Sequence, residues 1–375
     1  MDFAKSDIQT MILDSADRLL SETSGVDYWR EQRHQPLGHD EKRWAQFAEL
    51  GWLALPISDA AGGLNGTMID VALLNVALGK ALATEPYTSA VVLAGHVLSQ
   101  AVDAARADEL LGEIAAGTLR IALAHREQDT NADAAGKVAT IAQVVDEGYR
   151  LDGAKILSVD APGAGHLIVS ARMEGDDGIA LFLVPADADG VAAEAYPLID
   201  GTRAADIRFK SVLLPASALI LGANRGAEVL SEAIDRASIA LMAQAVGAME
   251  ACVKICGTYA AERHQFGQPI GKFQSIQHIL ADIFIAAHQA RSMLYHALAN
   301  VDQPQALRAA AISAARIVIG EAGQTVSRNG IQVHGGYGLT DEYAISHYFR
   351  RLMSLEKQFG DLISHTERLG DAIFA

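Results

Sequence analysis

Between about Leu119 and Ala223 the chain abandons the three-to-four-residue spacing of apolar positions that governs it on either side. This one interruption limits the folds open to it. Within it, short β-patterned runs end at Val144, or extend from Tyr149 to Leu151, His166 to Val169 and Ile179 to Val184, with turn segments at Asp146–Gly148, Asp152–Gly153 and Asp176–Gly178. A repeat of about ten residues, with no helix long enough to be a crossover, predicts a small barrel or sandwich rather than βαβ units.

The flanks are helical. From Ile8 to about Ala116 turns fall at Ser24–Gly25, Pro36–Gly38, Pro56–Ser58 and Ala61–Gly66, and Val71–Leu82 reads as one buried helix. Beyond Gly222 the spacing predicts helices over Arg236–Glu262, Ile276–Leu298, Gln305–Arg328, Asp341–Glu356 and Leu362–Phe374. The first of these would be roughly 40 Å long at 1.5 Å per residue. Half of the chain is apolar but only 6% is aromatic, so closely apposed Ala-, Leu- and Val-rich helices are expected instead of aromatic plugs. The expected class is α+β in three parts: an N-terminal helical domain (1–118), a middle β domain (119–223) and a C-terminal four-helix bundle (224–375). Apolar helix faces left over from the bundle point to an oligomer.

Thirty Lys and Arg against forty-six Asp and Glu leave a formal charge of −16, which opposes nucleic acid and anionic membrane surfaces. A polyphosphate ligand would need locally arranged positive groups. Charges at Asp2, Lys5, Asp7, Asp14, Asp17 and Arg18 break any signal-peptide core in the first twenty residues, and no uninterrupted apolar run of spanning length follows, so a cytoplasmic protein is expected. Cys252 and Cys256, four apart in a helical stretch, could begin a metal site or a redox couple, but no further ligands accompany them. They are read as two small buried apolar residues, with no metal and no structural disulfide.

Two segments carry unusual residue choices. The first, Glu262-Arg263-His264-Gln265-Phe266-Gly267-Gln268-Pro269-Ile270-Gly271-Lys272-Phe273-Gln274, closes one helix and opens the next. Its Gly/Pro loop lies before a helix start, where free backbone N–H groups suit anionic oxygen, and Arg263 adds a planar charged fork. The second, Gln332-Val333-His334-Gly335-Gly336-Tyr337-Gly338, allows a backbone to approach a ligand closely. It is not a Rossmann fingerprint, since no strand precedes it. His334 is read as a packed or hydrogen-bonded histidine.

In this order, about seventy residues apart, the two segments resemble the carboxy-terminal signature of the acyl-CoA dehydrogenase family. "ELGWLALPISDAAGG" resembles its amino-terminal helical signature and "DGAKILSV" a middle-domain strand, so the likeness covers essentially the whole chain. "HGGYGLTDEYAISHYFRRLMSLEKQFGD" and "LFLVPADADGVAAEAYPLIDGTRAADIRF" look most like the branch containing pimeloyl-CoA dehydrogenase small subunits and subunits of bacterial steroid side-chain dehydrogenases. The resemblance implies FAD at a subunit interface, its ADP portion reached by both carboxy-terminal motifs of the neighbouring subunit. Arg263 would contact the pyrophosphate, Phe266 and Gln274 would line the ADP half, and Gln332, Gly335 and Gly336 would meet it from their turn. It also implies an acyl-CoA substrate losing its α-proton to a carboxylate and its β-hydride to flavin, and an electron-accepting flavoprotein as redox partner.

Several positions depart from that pattern. The glutamate many members carry after the glycine turn and its helix falls on Phe359, and the alternative base position on the long helix falls at or near Ala237. Ser238 replaces a usual arginine, and Gln244 stands where glutamate is frequent. "AHREQDTNADAAG" lacks the family's Thr-Glu-Pro and Gly-Ser-Asp, while Leu157 and Val159 replace the Trp and Thr beside the flavin ring. No catalytic base is assigned; Asp235, Glu250, Glu356 and Asp361 are the substitute carboxylates, each also readable as a solvated or ion-paired group. The expectation is a heteromeric subunit, in an α2β2 assembly with a homologous acyl-CoA dehydrogenase chain. A self-associating enzyme or oxidase, and a structural paralogue without flavin, are the alternatives.

Overall fold

The computed structural model describes residues 5–128 and 138–374. Helices come first: α1 (Asp7–Glu22), α2 (Val26–Gln32), α3 (Glu41–Glu49), α4 (Met68–Lys80), a π-helical segment (Tyr87–Leu93) running into α5 (Ala94–Ser99), and α6 (Ala104–Ala115). Eight strands follow: β1 (Ile121–Ala124), β2 (Ile141–Val145), β3 (Gly148–Val159), β4 (His166–Met173), β5 (Ile179–Pro185), β6 (Val191–Pro197), β7 (Arg203–Pro215) and β8 (Leu219–Leu221). Then come α7 (Gly226–Glu262), the short strands β9 (His264–Gln265) and β10 (Gln268–Pro269), α8 (Gln274–Asn300), α9 (Gln305–His334), α10 (Ala344–Lys357) and α11 (Leu362–Phe374).

The chain packs as two compact units that do not follow its linear order. One comprises Met1–His34, Met68–Ala83 and Ser238–Ala375, and the other Gln35–Thr67 and Thr84–Ala237. In the second, β1–β8 form one mixed sheet of order β6-β7-β3-β2-β4-β5-β8, with β1 added in parallel to β4. The β2–β3 hairpin lies between β1 and β4 in sequence, so this parallel pair needs no crossover helix. Alternate residues, including Leu151, Val169, Phe182, Ile207 and Leu214, turn to a shared core. The turn expected at Asp152–Gly153 is instead a break in register inside the continuous β3. β7 pairs with β3 on both sides of it, and Asp152 Oδ1 accepts Ser211 N–H at 2.7 Å. Most of the buried aromatics lie in this unit, among them Trp44, Phe47, Trp52 and Tyr87, with Tyr87 donating to Trp52 O at 3.1 Å.

In the first unit α1 opens with a capping box, Ser6 Oγ accepting Gln9 N–H at 3.2 Å and Gln9 Oε1 accepting Ser6 N–H at 3.1 Å. The C-terminal helices enclose an Ala-, Leu- and Met-rich core that contains both cysteines, and burial pushes the Cys256 thiol up to about 12. α4 and α7 approach until their backbones touch. A β-carbon added to Gly247 would stand 2.0 Å from Val76 O, and one on Gly79 2.0 Å from Gln244 O. Gly247→Ala must therefore separate the two helices, at an expected cost of about 1–3 kcal/mol. Urea denaturation checks this, and an unchanged midpoint would show that the crossing has slack. α7 begins ten residues before the expected Arg236 and α9 runs six beyond Arg328, while α10 starts at Ala344 rather than Asp341. α7 alone among the described helices is long and apolar enough to cross a membrane, and 72% of its most apolar window is buried inside the protein.

Candidate functional site

α7 ends at Glu262, and Arg263 still donates its N–H to Tyr259 O at 2.8 Å. β9 and β10 then pair as a hairpin with Gln265 opposite Gln268. Its two corner residues, Phe266 and Gly267, have φ of +50° and +79°, the both-positive pattern of a type I′ corner. A phenylalanine forced into that conformation is 92% exposed, its ring edge-on to Phe273 at 6.1 Å. Ile270 N–H returns to Arg263 O at 2.8 Å, and α8 opens at Gln274 without a side-chain cap. The Arg263 side chain is exposed and has no hydrogen bond or ion pair among the described residues.

The second motif is the end of α9. Gln332 is exposed on the last turn, and Gly335 closes the helix at φ +60°, ψ −142°, a region essentially reserved for glycine. Nothing lies within 4 Å of a β-carbon built on either Gly335 or Gly336, so bare backbone faces open space.

The fold brings the motifs together through aromatic rings. Tyr259, one turn before Arg263, lies 4.2 Å from the ring of His334, which immediately precedes Gly335. Tyr343 sits 4.8 Å from His334 and 4.6 Å from Tyr337. An exposed guanidinium, an uncapped helix start and an open glycine turn therefore share one end of the C-terminal helices. Such a set of groups suits a diphosphate.

The positions expected for a base are different. Ala237 is fully buried, and Phe359, at φ +57°, packs against the helical core. The corner carrying Phe359 is latched by Arg316, which donates to the carbonyls of Leu355 (3.3 Å), Glu356 (3.1 Å), Gln358 (2.6 Å) and Gly360 (2.9 Å). Burial holds this guanidinium down at about 10, opposed by Glu356. Its Nε donates to His365 Nε2 at 3.3 Å, and burial followed by the Arg316 charge pushes that imidazole down to about 3.

The substitute carboxylates have structural partners. Glu250 pairs with Lys80 and Arg291, and Glu356 with Lys357 and the N–H of Leu362. Asp361 caps the start of α11 through Ser364, whose N–H holds its carboxyl below the usual range. Asp235 is fully buried and partnered. Gln244, in place of a carboxylate, bridges three helices: it donates to Asn75 Oδ1 at 2.9 Å and accepts from Arg351 at 2.7 Å.

In the sheet, Leu157 takes φ +51° and its N–H binds Asp206 Oδ1 at 2.9 Å, beside a buried Lys155–Glu127 pair at 2.7 Å. Residues 129–136 of "AHREQDTNADAAG" lie outside the described residues. Arg316, His365 and the Tyr259–His334–Tyr343 contacts escaped sequence reasoning. The one available signal was a lone arginine inside the small-residue run "AAISAARIVIG".

Comparison with known proteins finds one family along the chain. Residues 6–118, 122–212 and 224–373 match the family models for the acyl-CoA dehydrogenase N-terminal, middle and C-terminal domains. The chain belongs to the acyl-CoA dehydrogenase family. It is 30% identical to the probable acyl-CoA dehydrogenase YngJ of Bacillus subtilis, over 86% of this chain and 87% of the relative. Among solved structures it resembles a variant of the Tcur3481-Tcur3483 steroid ACAD, with a TM-score of 0.87 and 28% identity over 98% of both chains. It also resembles PigA with FAD and proline, with a TM-score of 0.90 and 26% identity over 100% of this chain and 99% of the other. FAD is the family's cofactor. The open glycine backbone of this family member, and a guanidinium unpaired among the described residues, fit the phosphate half of such a dinucleotide.

Proposed function

We propose that this chain is one subunit of an FAD-dependent acyl-CoA dehydrogenase acting on a CoA thioester with a bulky or functionalised acyl group, such as a dicarboxylic or steroid side chain. Arg263, Phe266, Gln274, Gln332, Gly335 and Gly336 hold the ADP half of an FAD shared with a homologous partner, in an α2β2 assembly. The partner supplies most of the flavin-ring pocket and the base. The observation that carries the reading is the contrast between the two ends of the site. The phosphate-facing motifs are open and, among the described residues, the Arg263 side chain is unpaired, whereas Phe359 and Ala237, where a carboxylate would stand, are packed into structure. The substrate class draws support from the 28% identical chain described as a steroid ACAD.

When bound, flavin accepts the β-hydride of the thioester. This chain's own residues bind and orient: Arg263 neutralises diphosphate charge, the N–H groups at the start of α8 and the glycine turn meet its oxygens, and Phe266 covers it from the hairpin corner. The assembly works in the cytoplasm, with an electron-accepting flavoprotein removing the electrons.

The test is to express the chain alone and with its homologue and to measure flavin absorbance and thioester dehydrogenation. The pair is expected to retain FAD and turn over, and the lone chain to do neither. Arg263→Ala in the pair should weaken FAD binding about tenfold or more, equivalent to about 1.4 kcal/mol. One flavin per polypeptide with turnover by the lone chain would reject the heteromeric reading.

A further inference from the structure

We infer that His334 is a positioning residue that joins the two cofactor-facing motifs into one rigid element through the rings of Tyr259 and Tyr343. The inference rests on the FAD reading above and adds to it a residue that touches no cofactor.

His334 is only 4% exposed and adds nothing to the open face of the glycine turn. Its Nδ1 lies 2.7 Å from Gly330 O and donates to it, which fixes the ring against the last turn of α9. Burial holds the imidazole below its ordinary value, so it stays uncharged, and Nε2 has no hydrogen-bond partner among the described residues. Beyond that one bond, shape and stacking are what the ring contributes. One side meets Tyr259 at 4.2 Å with 34° between planes, and another meets Tyr343 at 4.8 Å and 45°. Tyr343 in turn touches Tyr259 at 5.9 Å and Tyr337 at 4.6 Å.

This arrangement answers a mechanical need. Gly335 and Gly336 have no side chains with which to grip the protein; the N–H of Gly335 ties it to the carbonyls of Ile331 and Gln332, and the rings that flank the pair, His334 before and Tyr337 after, fix where that helix end lies. The Arg263 side chain has no partner among the described residues either, and its direction is set by the backbone leaving Tyr259. Both groups that would read the diphosphate thus take their placement from one aromatic cluster, and the separation between them is the separation the cluster imposes. Preorganisation of this kind raises affinity without adding a contact to the ligand.

The experiment compares His334→Ala with His334→Phe in the flavin-retaining assembly, each alone and combined with Arg263→Ala. FAD affinity is measured by reconstitution of the apoprotein, and backbone amide exchange is followed without FAD. His334→Ala removes two ring contacts and should weaken FAD about tenfold or more, while His334→Phe, which keeps a ring, should stay within about threefold. In the flavin-free protein His334→Ala should speed exchange in both residues 263–268 and residues 335–339, and His334→Phe in neither. In the Arg263→Ala background the effect of His334→Ala should shrink to about threefold or less, because the placement it protects no longer matters. Equal losses in the two His334 variants, faster exchange confined to 335–339, or strictly additive losses with Arg263→Ala would each overturn the inference. If Arg263→Ala itself leaves FAD affinity unchanged, the FAD reading falls and takes this inference with it. An Arg263 effect with additive His334 losses leaves the FAD reading standing and removes only the coupling.

Discussion

Glu85→Ala is expected to lower stability by about 3–5 kcal/mol, because it removes the carboxylate that neutralises a guanidinium shut away from water. Arg43 in α3 is 1% exposed, and its side chain meets Glu85 through two parallel bonds, Nε to Oε1 at 2.6 Å and Nη2 to Oε2 at 2.7 Å. The pair anchors the residue before Pro86, at the entrance to the π-helical segment whose seven residues are all buried. Alanine removes the carboxylate and leaves the positive charge where it was. Replacing both partners with apolar residues of similar volume, Arg43→Met with Glu85→Leu, should recover most of the loss, since neither then carries a desolvation penalty. Trp44 and Trp52 are buried in the same compact unit and report its unfolding in urea by fluorescence. A loss below about 1 kcal/mol in the single variant would mean that water reaches Arg43 after all.

That pair also marks what a sequence conceals. Arg43 sits in an ordinary helical pattern and Glu85 in a short bend before Pro86, and only the fold shows that both are interior. The change from helical to β spacing near Leu119 and the return beyond Gly222 were legible, because burial on one face of a helix or sheet imposes a period on the residues themselves. The break inside β3 was not. Asp152–Gly153 has turn chemistry, but whether the strand reverses there depends on β7, which arrives much later in the chain.

The two carboxy-terminal motifs were visible for a local reason. An open corner and a tight hairpin both favour glycine, here Gly335–Gly336 and Gly267, and an arginine at a helix end offers a planar cationic fork, so each leaves a mark in a short stretch of sequence. Gly335 could also have extended α9, since glycine is the ordinary residue just past a helix end, and the helix does run to His334. The contact of Tyr259 with His334 had no such signature, for it joins the ends of two helices that are neighbours only in space.

Arg316→Met should produce the second large loss, at least about 3 kcal/mol, together with a change in how stability responds to acid. The wild-type guanidinium satisfies carbonyls at the C-terminal end of α10 and along the corner through Gly360, groups that the helix leaves without intrahelical partners. Methionine fills the volume and satisfies none of them. The acid response follows from His365, 3% exposed, whose imidazole is pushed from its ordinary 6.5 down to about 3 by burial first and by the Arg316 charge second. Between those values the unfolded chain binds a proton that the folded chain refuses. The contribution of His365 is therefore fully present above pH 6.5 and is lost progressively as pH falls toward 3. Without the Arg316 charge, His365 accepts a proton more readily in the folded state, so the variant should be less stable at about pH 7.5 but lose less on going to about pH 5. Urea midpoints at the two pH values decide it. A parallel drop in both proteins would show that burial and the Arg368 charge, and not Arg316, keep His365 neutral. An unchanged midpoint at the higher pH would mean that the corner holding Phe359 does not depend on Arg316, and the packed state of the missing-base position would then need another cause.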